Sequence, residues 1–160
     1  MKLRKQAGAS AVEFALVAPI FFLLIFAIIE FGLLFWVDIT MQHAVREGAR
    51  YAITGQVNLD PNTSDQQRYR AIIAKMNDSS MGLWAKVDPD IKITLNGTTS
   101  TEYGDASSYN AGMFGREGDI VTIQLNCKWP LFTGFISKFF SNGEHDFSVA
   151  ATMKNEAFGS

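Results

Sequence analysis

One stretch constrains this chain more than any other. Residues 14–37 are apolar or small at every position except Glu30. At about 1.5 Å rise per residue the run spans roughly 36 Å as a helix. A bilayer core is roughly 30 Å thick, so the run is long enough to cross it with some tilt. A secretory signal has a shorter apolar core of roughly 7–15 residues and then a small-residue cleavage site. Here the run is longer, and Asp38-Ile39-Thr40-Met41 follows it. The expectation is a retained membrane anchor. Lys2, Arg4 and Lys5 precede it, whereas Arg46 and Arg50 on the other flank are offset by Asp38 and Glu47. By the positive-inside rule the N-terminus stays cytoplasmic and the bulk of the chain lies across the membrane.

Glu13 stands at the mouth of the apolar run. A carboxylate at a transmembrane helix centre costs about 2.5–3.5 kcal/mol on insertion scales, and less near an interface. Either Glu13 is solvated at headgroup level or it neutralises a cation. A cut between Gly8 and Ala9 would create an α-ammonium about one helical turn before Glu13. On a neighbouring copy, offset along the axis, that ammonium could meet Glu13 inside an apolar bundle.

A short basic leader ending in Gly8, small residues, Glu13 as the fifth residue after the glycine and a long apolar helix together resemble a class III (prepilin) signal. Glu30-Phe31-Gly32 and Ala44-Val45-Arg46-Glu47-Gly48-Ala49-Arg50 resemble the core motifs of the TadE/TadG-like family, pilin-like proteins of tight-adherence (Tad, type IVc) pilus systems. Residues 151–156 resemble the end of that family's domain. The resemblance implies a pilin-like α+β fold, cleavage between Gly8 and Ala9, pairing of Glu13 with a neighbour's N-terminal amine, and a helix kink at Pro19. It makes Glu30, Gly32, Arg46, Glu47, Gly48 and Arg50 the family-motif residues. The implied partners are other pilins and minor pilins, a prepilin peptidase, inner-membrane platform proteins, indirectly an assembly ATPase, and membrane lipid. The implied location is the bacterial inner membrane, with the C-terminal domain periplasmic, and the pilus after assembly.

Two departures refine this. Type IVa pilins usually place Phe after the cut, where this chain has Ala9. Major Tad pilins carry a Glu-Tyr pair and are much shorter; here the pair is Glu13-Phe14 in a chain of 160 residues. The first bears on methylation of the new amine; the second favours a minor pilin or pseudopilin. The alternative is a resident single-span adaptor of an envelope secretion or assembly complex.

The helix is expected to continue beyond the membrane to Gly55. Val37, Met41, Ala44, Val45, Gly48, Ala49 and Ala52 fall on one stripe, and His43, Arg46, Glu47, Arg50 and Thr54 on the other side, which is the amphipathic period. Gly48, Ala49 and Ala52 let another element approach closely, either the chain's own sheet or a second subunit. Pro19 removes one helix hydrogen bond and invites a kink. Glu30 lies roughly 25 Å from Glu13 along the helix axis, toward the outer interface, either solvated or paired with a basic residue of a partner.

The remainder predicts an α+β domain, with residues 1–8 as leader, 9–55 as the long helix and 56–160 as that domain. Ser64 is placed to cap a second helix over 65–77, with Tyr69, Ile72, Ile73 and Met76 buried. Residues 90–95, 119–129 and 146–154 alternate as strands. Asn96-Gly97 is a turn signal, and 96–118 reads as one long loop, functional or mobile. Phe132, Phe135, Ile136 and Phe139 fall at i, i+3, i+4 and i+7, a short aromatic helix packed on the sheet or lying on the membrane surface.

No enzyme chemistry is evident. His43 and His145 begin no zinc spacing, Glu144-His145-Asp146 alternates across a strand, and no nucleophile elbow, P-loop or dinucleotide fingerprint is present. Glu102, Asp105, Glu117 and Asp119 lack EF-hand spacing. Neither a cofactor nor a metal is expected. A formal net charge of −2 with no basic run argues against nucleic acid. Cys127 is the single cysteine, so no disulfide forms within one chain.

Overall fold

The structure, a computed structural model, describes residues 4–158; Lys2 of the basic leader lies outside them. Helix α1, Arg4–Ala52, is one continuous element of 49 residues, about 74 Å long at the standard rise. Its two halves differ. Before Val37 the large apolar side chains face outward on every side, from Val12 and Phe14 to Phe35 and Trp36. From Val37 onward the stripe Val37, Met41, Ala44, Val45, Gly48, Ala49 and Ala52 is buried, as its period requires.

The second half of α1 packs on a four-stranded antiparallel sheet of order β2-β1-β3-β4. The strands are β1 (Asp90–Leu95), β2 (Thr99–Tyr103), β3 (Ile120–Pro130) and β4 (Glu144–Lys154). Val121, Ile123, Leu125, Cys127 and Trp129 of β3 point into the core with Ile91 and Ile93 of β1 and Val149 of β4. The opposite face of β3 is polar, and there the hydroxyls of Thr122 and Thr152 share a hydrogen bond of 2.8 Å. One face packed and one face wet is the ordinary economy of an antiparallel sheet. Helix α2 (Arg68–Ser79) lies against α1, and the short α3 (Trp84–Val87) adds Val87 to the core.

Three expectations are corrected. The second helix begins at Arg68, not at residue 65, and Ser64 does not cap it. Asn62 accepts the amides of Ser64 and Asp65 in a local turn, and the Asp60 carboxylate, from further back, accepts the Gln67 amide at the helix entrance. Residues 96–118 are not one loop. Asn96 and Gly97 both take positive φ (52° and 71°), as tight hairpin turns require of such residues, and residues 96–98 join β1 to β2, which pairs with it from Leu95↔Thr99 to Ile91↔Tyr103. Met113 and Phe114 then turn into the core. The aromatic stretch forms no α-helix on the sheet. It makes a 3-10 turn, Ser137–Phe139, and Phe132, Phe135 and Phe139 face outward.

Candidate functional site

The first half of α1 and the β3–β4 connection that meets it form the candidate site. Gly8 and Ala9 lie exposed on α1, and a Cβ added at Gly8 would meet nothing within 4 Å. Glu13 is exposed one turn further on, between Val12 and Phe14, both outward-facing. Pro19 sits inside the helix without interrupting it. The ring has no N–H, so the Ala15 carbonyl lacks its usual helical donor. The surface around these residues is apolar on all sides, and an 18-residue window of it has none of its residues buried within the protein. A helix of this length and composition suits a membrane span, because in water it would leave a large apolar area exposed.

Glu30 is the exception in this half. It is 2 % exposed, and it is neither solvated nor set against a cation. Its Oε1 accepts the Phe132 amide at 2.9 Å and its Oε2 accepts the Thr133 amide at 2.8 Å. One carboxylate thus holds both amides at the start of the β3–β4 connection and closes that connection onto α1. Phe132 and Thr133 line a small cleft with Phe26, Ile29, Glu30 and Leu33. Gly32 is exposed, with nothing within 4 Å of an added Cβ, so no contact within the subunit calls for a glycine there.

The second motif divides by face. Arg46 and Arg50 are exposed, and Glu47 accepts from Arg50 at 3.2 Å with Lys75 at 4.0 Å. Gly48 is buried where α2 crosses. A Cβ there would stand 2.1 Å from Met76 Cγ, so the motif glycine sets the approach of α2 to α1.

Two features were not singled out from the sequence. Arg68 donates to the Ala52 carbonyl at 2.8 Å, to the Gly115 carbonyl at 2.8 Å and to Asn155 Oδ1 at 3.1 Å. Buried Asn155 donates in turn to the carbonyls of Phe114 and Arg116 at 3.0 and 2.9 Å. Together they tie the end of α1, the 114–116 turn and the end of β4. The only available signal was a polar pair at positions a compact domain must bury. The Glu30 bond carried no local signal, because its partner amides lie 102 and 103 residues away.

Cys127 is buried, and burial pushes its thiol up to about 12, which keeps it protonated and unreactive. Among the described residues no group of His, Cys, Asp or Glu is arranged to hold a metal ion.

Residues 8–50 match the family model of TadE-like proteins. The match runs from Gly8 to Arg50 and takes in every site residue named from the sequence. No curated protein and no solved structure matches the chain.

Proposed function

We propose, from a chain whose N-terminal segment carries the TadE-like signature of a Tad pilus-associated protein, that it acts as a minor pilin or pseudopilin. The observation that carries this reading is the division of α1. One half turns its large apolar side chains outward and meets the domain near Glu30, and the other is fused to a sheet domain. A subunit built this way rests in the inner membrane by its first half, with the sheet domain periplasmic, and passes into a filament by exchanging lipid for neighbouring helices. Cleavage after Gly8 by a prepilin peptidase leaves Ala9 as the new N-terminus. Other pilins, membrane platform proteins and, through them, an assembly ATPase are its partners.

Glu13 then recruits. Its carboxylate is exposed within an apolar surface, where an unpaired charge is costly, and a neighbour's Ala9 ammonium offsets that cost. Glu13→Ala is expected to leave cleavage intact and to lower pilus number and co-purification with other pilins. Normal values of both would remove this role.

The functional reading is tested by the intact mass and N-terminal sequence of the protein from its host, with and without the peptidase, and by its presence in sheared filaments. A chain beginning at Ala9 only when the peptidase is present, and recovered in filaments, is the expected result. A chain that keeps residues 1–8 in both strains and stays in the membrane fraction would make it a resident adaptor instead.

A further inference from the structure

The β3–β4 connection presents Phe132, Phe135 and Phe139 at 69, 56 and 75 % exposure within a few residues of one another. The domain's other exposed large apolar residues, Leu59, Met81 and Ile120, lie on three different segments, whereas these three phenylalanines share one short connection. We infer that this connection, residues 131–140, is a second membrane-contacting element, inserted into the outer interfacial region of the bilayer beside α1 and held at that depth by Glu30. The inference rests on α1 being a membrane anchor.

Depth carries the first part of the argument. Counted from Phe14, a bilayer core of roughly 30 Å takes up about 20 helical residues and ends near Leu33. Glu30 lies just inside that edge and binds the amides of Phe132 and Thr133. Phe132 shares its cleft with Phe26 and Ile29, below Glu30, whereas Phe140 lies against Phe31, Phe35 and Asp38 above it. The connection therefore straddles the edge of the hydrocarbon, continuous with the apolar surface of the anchor. An amphipathic segment at this depth gains by burying its aromatic rings among acyl chains.

Its backbone carries the second part. Apolar surroundings penalise unpaired amides. Here the amides of Phe132 and Thr133 go to Glu30, that of Leu131 to the Gly143 carbonyl, and that of Ser137 to the Thr133 carbonyl. Those of Phe139 and Phe140 go to the carbonyls of Ile136 and Ser137. The amides of Gly134, Phe135 and Ile136 have no acceptor among the described residues, which fits the interfacial region, where headgroups and water supply one, and not the hydrocarbon centre. Lys138, between the rings, suits a site where an ammonium reaches up to the lipid headgroups. A second copy of the chain is the competing occupant, but the position at the lipid edge and the lysine favour lipid.

The test uses the full chain in vesicles of phosphatidylethanolamine and phosphatidylglycerol, with or without bromine on the acyl chains. Phe135→Cys and Phe139→Cys carry a bimane label, and buried Cys127 stays unlabelled. Leu24→Cys marks the middle of the span and Thr98→Cys the far end of the sheet. Bromolipid is expected to quench the labels at 135 and 139, less than at 24, while aqueous iodide quenches chiefly at 98. Labels at 135 and 139 quenched by iodide and untouched by bromolipid, with 24 still quenched by lipid, would place the connection in water and overturn the inference. Labels shielded from both quenchers would mean that a second copy covers the connection, which also overturns it. A label at 24 that bromolipid does not reach would remove the anchor reading itself, and the inference with it.

Discussion

Two glycines of the family-matched segment separate a packing requirement from one that the single subunit does not explain. At Gly48 an added Cβ would press on Met76 Cγ at 2.1 Å; at Gly32 it would meet nothing within 4 Å. Replacing a helical glycine by alanine favours the helix by roughly 0.5–1 kcal/mol. Overpacking a filled interface costs typically about 1–3 kcal/mol. Met76 is flexible, but the clash is with its Cγ rather than its tip, so the side chain has to leave its place. Gly48→Ala is therefore expected to lower the stability of the sheet domain, and Gly32→Ala to leave it unchanged, both read by denaturant unfolding. A Gly48→Ala protein as stable as the parent would mean that α2 shifts freely against α1, and the motif glycine would need another explanation. Loss of assembly in Gly32→Ala, with stability intact, would place the need for that glycine between subunits.

At the scale of elements, the entrance to α2 depends on a side chain from outside it. Asp60 is 4 % exposed. Its carboxylate accepts the amides of Gln67 and Asn62, and its two oxygens share the Arg70 Nε–H in a bifurcated bond at 3.1 and 2.9 Å. Burial by itself would raise its pKa, but the two amides and the guanidinium outweigh it and hold the carboxyl below its ordinary value of 3.8. A carboxyl depressed in the folded state adds stability that is present above its unfolded pKa and lost as pH falls through the folded value. The 56–67 loop and the first turn of α2 are thus expected to loosen in acid, below the ordinary carboxylate range. Asp60→Asn should loosen the same amides already at neutral pH and flatten the acid dependence, read by hydrogen exchange at Gln67 and Asn62. An unchanged acid profile in Asp60→Asn would assign the transition to other carboxylates. The same residue shows why some elements were legible in the sequence and others were not. The stripe of α1 and the strands β1, β3 and β4 have one apolar face each, and period alone reveals them. The start of α2 is not legible locally, because the bond that fixes its entrance, from the Gln67 amide, goes to Asp60, outside the window in which Ser64 looks right. Strand β2 gives no such signal, because it is an edge strand exposed at every position but Tyr103, which leaves no alternation to see. The helical spacing of Phe132, Phe135, Ile136 and Phe139 was real, but the rings point away from the protein, and the bond that shapes the connection comes from Glu30, more than a hundred residues earlier.

Taken whole, the molecule divides near Leu34. Among the described residues every buried apolar side chain lies at or beyond Val37, and before it Glu30 is the buried side chain that reaches into the domain. The first half of α1 therefore contributes almost nothing to the core, and the domain's stability comes from the second half of α1, α2 and the sheet. A fragment beginning at Leu34 is expected to fold in water with a cooperative unfolding transition close to that of the full chain in detergent. One region should differ. Without Glu30 the Phe132 and Thr133 amides lose an acceptor whose bonds, being to a charged group, are worth about 1.5–3 kcal/mol each. Hydrogen exchange should therefore quicken at 132 and 133 while β3 and β4 stay protected. The exposed phenylalanines, no longer held beside an apolar helix, should also make the fragment more prone to self-association than its net charge suggests, and serines at 132, 135 and 139 should relieve this. A fragment without a cooperative transition would show that the first half of α1 supports the core through the helix itself. A fragment with unchanged protection at 132 and 133 would show that the turn 133–137 holds its own shape, and Glu30 would then fix only where the connection lies along α1.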